Sequence, residues 1–345
     1  VCLVLLSALL IAPARPAAAA GPVLSPRDAS PRDAGQARPA ASGAIVTLPV
    51  SVTREGASVR GLTEADFSVT EDGQPLPLHA FSGGDIPLSL AIIVDTGPMM
   101  RGPWMSETFS AVRQLLADVL GPDDEACLYV FAREPLLLQK WAQKDTLLTS
   151  RYQVPEGAGA PLFDALTRAT TYMDQARHPR RALLVVTGGS TSDGWRRTVG
   201  PAFAPPQGRG APPSPTLNMA NPWEPSPERE KALKELKARA LLFYPIGLET
   251  PRPSDKKVEP PPPLNTQELR ELSEESGGYL QLVPSPDQLG EAVAKLRDEL
   301  RSQYLVSYVS PRGDDGKYHE VRVAVKQPEC RVRARQGYMA AKGKR

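Results

Sequence analysis

At 345 residues the chain has material for two domains and an ample core. Apolar residues make up 41% and charged residues 23%, ordinary for a globular protein; the net charge of +2 gives no case for nucleic acid or an anionic membrane as partner. Proline is the outlier, with 37 residues, roughly twice the usual share of about 5%.

Residues 2–12 form an apolar run too short to span a bilayer, followed by Ala17–Ala20 and Gly21. Small residues at −3 and −1 of a cleavage point near Ala20 read as a secretory signal over 1–20. The expectation is an exported protein, periplasmic or extracellular, with no membrane insertion after cleavage. An uncleaved N-terminal anchor is the alternative. The basic n-region is missing, the chain starts at Val1, and Cys2 precedes the apolar run instead of following it as a lipid anchor requires. Residues 21–43 are rich in Pro, Ala, Ser and Arg without periodicity and read as a disordered leader. Past this point only Cys127 and Cys330 remain. Cys127 lies in an apparent core strand, and whether the two pair is left open.

Order is expected from Ala44, where 44–52 carries a strand pattern. A turn-like element at 62–67 follows, then strands 67–70 and 76–81 flanking the Asp72-Gly73 hairpin signal. From Leu88 the rhythm becomes strand and helix alternation. Leu88–Val94 is a continuous apolar run, as in a strand buried on both faces of a parallel sheet, and it ends in Asp95. Helical spacing over 109–120 stops at Gly121-Pro122. Strands are expected at 127–131, 136–141 (on an edge), 182–186, 241–246 and 278–283, and helices around 162–173, 228–240, 265–277 and 285–300. Asn265-Thr-Gln-Glu268 and Ser285-Pro-Asp-Gln288 look like helix caps. Such alternation implies a doubly wound, mostly parallel, six-stranded α/β sheet over 85–302, with proline-rich insertions at 198–227 and 251–263. The insertions read as solvated loops, with docking to a polyproline reader as the lesser alternative. Three further strands, 304–309, 318–325 and 330–334, close the chain. Three strands at each end are too few to stand alone, so 44–84 and 303–341 are expected to form one small β-sandwich around the α/β domain.

Several stretches together resemble the von Willebrand factor A family, and more specifically bacterial exported proteins described as VWFA-related. They are Gly61-Leu-Thr-Glu-Ala-Asp-Phe-Ser-Val-Thr-Glu-Asp-Gly73, Ile93-Val-Asp95, Pro161-Leu-Phe-Asp-Ala-Leu166, Arg181-Ala-Leu-Leu-Val-Val186, Leu300-Arg-Ser-Gln-Tyr304 and Arg331-Val-Arg-Ala-Arg-Gln-Gly-Tyr338. The resemblance implies a Rossmann-like domain with a metal-ion-dependent adhesion site at the top of its sheet, built from Asp-x-Ser-x-Ser plus a later Thr and Asp. Here Asp95 matches the first ligand. Gly97 and Met99 stand at the two serines, Ala160 at the threonine and Gly188 at the second aspartate. Mg²⁺ demands oxygen ligands, which thioether and bare backbone do not replace. The expectation is therefore a vestigial site with no metal cofactor, Asp95 capping nearby backbone N–H groups. A shifted Mg or Ca site using Thr96 or Ser190–Asp193 is the alternative.

Met99, Met100 and Trp104 follow the first strand. They read either as an adaptable contact surface for a protein partner or as local core. No catalytic constellation is evident: His79, His178 and His319 lack obvious nucleophile partners, and the pairs Asp123-Asp124 and Asp314-Asp315 read as solvated turn residues. A non-catalytic protein-interaction module is the leading expectation. Its rivals are a metal-dependent adhesion protein and, more remotely, a hydrolase using Asp95 and Asp193.

Overall fold

The computed structural model describes residues 43–84, 86–97, 100, 102–131, 134–154, 162–188, 227–249, 264–312 and 314–341. The signal, the leader up to residue 42, Met99, Ala160, Ser190–Asp193 and both proline-rich insertions (save Pro227, which opens a helix) lie outside the described residues. Among the described residues, no helix is long and apolar enough to cross a membrane.

The central sheet comprises β6 (Leu88–Asp95), β7 (Glu125–Phe131), β8 (Pro135–Ala142), β9 (Arg180–Thr187), β10 (Leu242–Leu248) and β11 (Gln281–Val283). Their spatial order is β11-β10-β9-β6-β7-β8. All pairings are parallel except β7 with β8, which runs antiparallel at the edge. The chain starts this sheet in the middle, builds outward to β8, then returns to the other side of β6. That reversal creates a switch point between the carboxyl ends of β6 and β9, where open α/β sheets place ligands.

Alternation along β6 assigns its two faces. Leu88, Leu90, Ile92 and Val94 join a core with α1 (Pro103–Val119), α2 (Lys144–Thr149) and α6 (Leu289–Leu300). Ala91 and Ile93 join a second core with α3 (Leu162–Tyr172), α4 (Pro227–Arg239) and α5 (Thr266–Ser276). Every residue of β6 and β7 is buried, so their unbroken apolar runs follow from having helices on both sides.

The terminal strands form two further sheets. β1 (Ala44–Arg54) lies between β12 (Tyr304–Ser310) and β14 (Arg331–Arg333), with β5 (Leu78–Gly83) outside β12 and the short β2 (Ala57–Ser58) on β1. The other sheet runs β15 (Gly337–Met339), β13 (Tyr318–Val325), β3 (Phe67–Glu71) and β4 (Gln74–Leu76). Val46, Leu48, Val50, Phe67, Val69, Val306, Tyr308 and Val321, drawn from both sheets, share one apolar cluster. The hairpin between β3 and β4 turns through Asp72 and Gly73, both at positive φ, the I′ geometry that the Asp-Gly pair favours. The single strand expected at 76–81 is two: Pro77 separates β4 in one sheet from β5 in the other. A proline has no N–H for a ladder, which makes it a natural place to change sheets.

Asn265 caps α5 by accepting from the Glu268 N–H at 3.1 Å, and Gly277 ends that helix in the left-handed region with φ 89°. Ser285, by contrast, makes no side-chain cap; a 3₁₀ turn at 286–288 leads into α6 instead. The cysteines are both free, Cys127 in the α/β core and Cys330 beside the terminal sheets.

A buried polar clasp joins the two regions. The Glu299 carboxylate on α6 accepts from Ser51 Oγ of β1 at 2.9 Å, from the Tyr244 hydroxyl of β10 at 2.9 Å, and from Arg333 of β14. Gln303 Nε2 donates to the Ser51 hydroxyl at 3.2 Å and to Tyr244 at 2.7 Å. Arg333 stacks over the Tyr279 ring, 4.7 Å from its centroid. Burial, and then the Glu299 charge, keep the Tyr244 hydroxyl well above its ordinary pKa, so it remains a donor.

Candidate functional site

Asp95 ends β6 at the switch point, one register step beyond the Val94 and Val186 pair. It is 1% exposed. Its Oδ1 accepts from the Gly97 N–H at 2.8 Å, and its Oδ2 accepts from the Thr187 hydroxyl, also at 2.8 Å, at the end of β9. The carboxylate thus ties the tips of the two central strands together and closes the turn that follows β6. Thr96 folds the same turn inward: its N–H and its hydroxyl both donate to the Phe131 carbonyl of β7, at 2.9 and 3.2 Å.

The other positions fall unevenly around Asp95. Gly97 and Gly188 are buried beside it and bring no side-chain oxygen. Met99 and Ala160 lie outside the described residues. Met100 is fully buried and Trp104 is 6% exposed; both belong to the core that β6 shares with α1, so they are not available as a contact surface. Helix geometry explains this: Trp104 is on the first turn of α1, on the same face as Ala111 and Leu115. Thr187 was missed because strand patterning rates a terminal threonine as unremarkable. Its signal was its place, directly before the glycine at the second-aspartate position.

A divalent cation at this point would need several oxygen donors in near-octahedral array. The described residues around Asp95 offer one carboxylate and the hydroxyls of Thr96 and Thr187, and each of these makes hydrogen bonds within the protein. Gly97 and Gly188 add no side-chain oxygen to this set; Met99, Ala160 and Ser190–Asp193 lie outside the described residues.

A second polar cluster lies in the terminal sheets. Glu71, Asp72 and His319 bring ligand-type atoms within 4.8 Å of one another. His319, 3% exposed, is held between two carboxylates: Nδ1 is 2.8 Å from Asp72 Oδ2 and Nε2 is 3.0 Å from Asp315 Oδ1. Carboxylates only accept, so both contacts are satisfied together when the ring is doubly protonated, as an imidazolium. Burial pulls its pKa down, but the hydrogen bonds that its ring donates to Asp72 and Asp315 outweigh that and the net shift is upward. An imidazolium has no lone pair for a metal. Glu71 is meanwhile occupied by the hydroxyls of Ser310 and Tyr338.

The expected solvation of the Asp pairs also needs correction. Asp124 is 3% exposed and accepts from the Leu88 N–H and the Gly121 N–H, each at 2.7 Å, pinning the start of β6. Asp315 holds His319. The His178 ring contacts the Asp123 carbonyl at 2.7 Å. Among the described residues, no histidine ring is hydrogen-bonded to a hydroxyl or thiol.

No family model matches the sequence, and no curated protein matches it. Solved structures similar to the chain include a von Willebrand factor type A protein from Catenulispora acidiphila, at 9% identity over 87% of this chain and 74% of that one, with a TM-score of 0.44. The ArnB paralog VWA2 from Sulfolobus acidocaldarius is similar at 10% identity over 86% and 76%, with a TM-score of 0.41. The PilB minor pilin from Streptococcus sanguinis is similar at 14% identity over 63% of this chain and 62% of its own length, with a TM-score of 0.44.

Proposed function

We propose that this chain is an exported, non-catalytic protein-interaction module of the von Willebrand factor A type whose binding no longer depends on a metal. The observation that carries the reading is the state of Asp95. Its oxygens accept from the Gly97 N–H and the Thr187 hydroxyl, it is almost wholly buried, and Gly97 and Gly188 beside it bring no further side-chain oxygen. The doubly wound sheet and the strand-end position of Asp95 supply the scaffold of such a module, and the sequence stretches quoted above supply the family. On this reading the carboxyl end of the sheet recognises a protein partner by shape. Of the three residues expected to contact it, Met99 carries the proposal, because Met100 and Trp104 belong to the core.

Calorimetric titration of the folded chain with Mg²⁺, Ca²⁺ and Mn²⁺ tests the loss of metal dependence. No saturable heat is expected, and partner capture from an exported fraction should be unchanged by EDTA. Micromolar binding of any of the three ions that disappears in Asp95→Ala would reverse the reading in favour of a cation site rebuilt around Asp95. Capture that survives Met99→Asp undiminished would move the contact surface elsewhere.

A further inference from the structure

At the opposite end of the central sheet, a groove of about 340 Å³ opens between the terminal strands and the α/β layers. It lies near the start of β9, roughly 20 Å from Asp95 at about 3.3 Å per strand residue. Its walls include Ala44–Thr47 and Pro49 of β1, Arg181 of β9, Arg239 at the end of α4, and Arg335, Tyr338 and Met339 near the C-terminus. Among the described residues, three arginines line it and no carboxylate does.

Arg335 is the unusual member. It is 8% exposed, and among the described residues no ion pair or hydrogen bond holds its guanidinium; Nε is buried without a partner there. The Tyr338 ring, 5.3 Å from its guanidinium carbon, is its close electrostatic contact. Burial draws its pKa down to about 10, which leaves it charged at neutral pH. Arg239, by comparison, is committed to Asp174 and Glu235. Arg181 donates to the carbonyls of His178 and Ala176. A buried guanidinium with no counter-charge is costly, and proteins keep one where a ligand completes it.

The groove also borders an open sheet edge. β1 pairs with β12 along 44–50, but on its other side β14 reaches only 51–53. Along 44–50 that other side carries no strand among the described residues; Leu48, Pro49 and Val50 are buried, which leaves 44–47 as the open part of the edge. Ile45 and Met339 stand at the groove with 59% and 44% exposure.

We infer that this groove binds an extended acidic peptide segment of a partner, which adds as a short strand along residues 44–47 of β1 and places a carboxylate on Arg335. Main-chain bonds to an exposed edge provide affinity in such an arrangement, and a guanidinium fork provides the directional contact. The site is distinct from the surroundings of Asp95 and does not depend on how that end of the sheet works.

The test uses the full chain and a fluorescein-labelled, end-blocked octapeptide of alternating Val and Asp, read by fluorescence anisotropy. Saturable binding is expected, at least tenfold weaker for the Val-Asn analogue and for Arg335→Met, with circular dichroism confirming that the variant is folded. Ile45→Asp places an acid at the groove without touching the core; it should also weaken binding tenfold, and it provides the readout if Arg335→Met does not fold. Equal binding of the Asp and Asn peptides, undiminished binding in the folded variants, or no saturable binding to the wild type would overturn the inference. So would displacement of the peptide by free glutarate at matching concentration, which would reduce the site to a small-anion pocket.

Discussion

Glu299 and Arg335 are both charged side chains more than nine-tenths buried, and their surroundings could hardly differ more. Glu299 collects Ser51, Tyr244 and Arg333, from three strands of two different sheets. Arg335 has the face of a tyrosine and an open groove. A buried charge surrounded by donors is a structural member whose removal strands its partners. A buried charge without such partners strands no donor or acceptor when it is removed, and it is open to completion from outside. Burial alone therefore does not separate core from site; the tally of satisfied partners does.

The comparison breaks first if the clasp is dispensable. Glu299→Ala leaves Arg333 and the Tyr244 hydroxyl without their acceptor and should cost about 3–5 kcal/mol, as for half of a buried ion pair, read as a lower urea midpoint. A loss below about 1 kcal/mol would place the clasp among ordinary surface pairs. Asp95→Ala removes the acceptor of Gly97 and Thr187 and should cost about 1–3 kcal/mol, with no change in any response to Mg²⁺. His319 gives a subtler signal. Its pKa is raised in the folded chain, so its contribution is fully present below the unfolded value near 6.5 and is lost as pH rises through the raised folded value. Asp72 and Asp315, both held below the carboxylate range by His319, lose theirs as pH falls through their lowered values. Urea midpoints should therefore decline from pH 6 towards pH 8, and His319→Gln should flatten that slope. The smallest effect should be Arg335→Met, within about 1 kcal/mol of wild type or slightly stabilising, because it replaces an unpaired charge by an apolar chain of similar volume. A loss as large as that of Glu299→Ala would show Arg335 to be structural.

Much of the architecture was legible because it rests on period and run length. The apolar runs of β6, β9 and β10 announced burial on both faces, and Asp72-Gly73 announced its hairpin. The split of one expected strand at Pro77 was harder, since β4 and β5 share an alternation that does not say which sheet each residue faces. Asp95 was found as a strand-end acid, but its link to Thr187 depends on two strands becoming neighbours across 92 positions of chain. The same limit hid Glu299 and Arg335. Each sits in an unremarkable charged stretch, and only the packing of distant elements makes one satisfied and the other not. Met100 and Trp104 were ambiguous for a related reason: side chains just past a strand end can turn inward or outward, and the helix that decides begins only at Pro103.

The pairing of β1 with β12 spans the whole α/β region: Thr47 faces Ser307, 260 positions away. During synthesis β1 must wait, apolar residues uncovered, until β12 has emerged some 260 positions later, while the intervening layers can already condense from nearer contacts. A ribosome-stalled or clipped product ending before residue 304 would thus carry a formed centre and a sticky, half-built flank, the kind of intermediate that holding chaperones intercept.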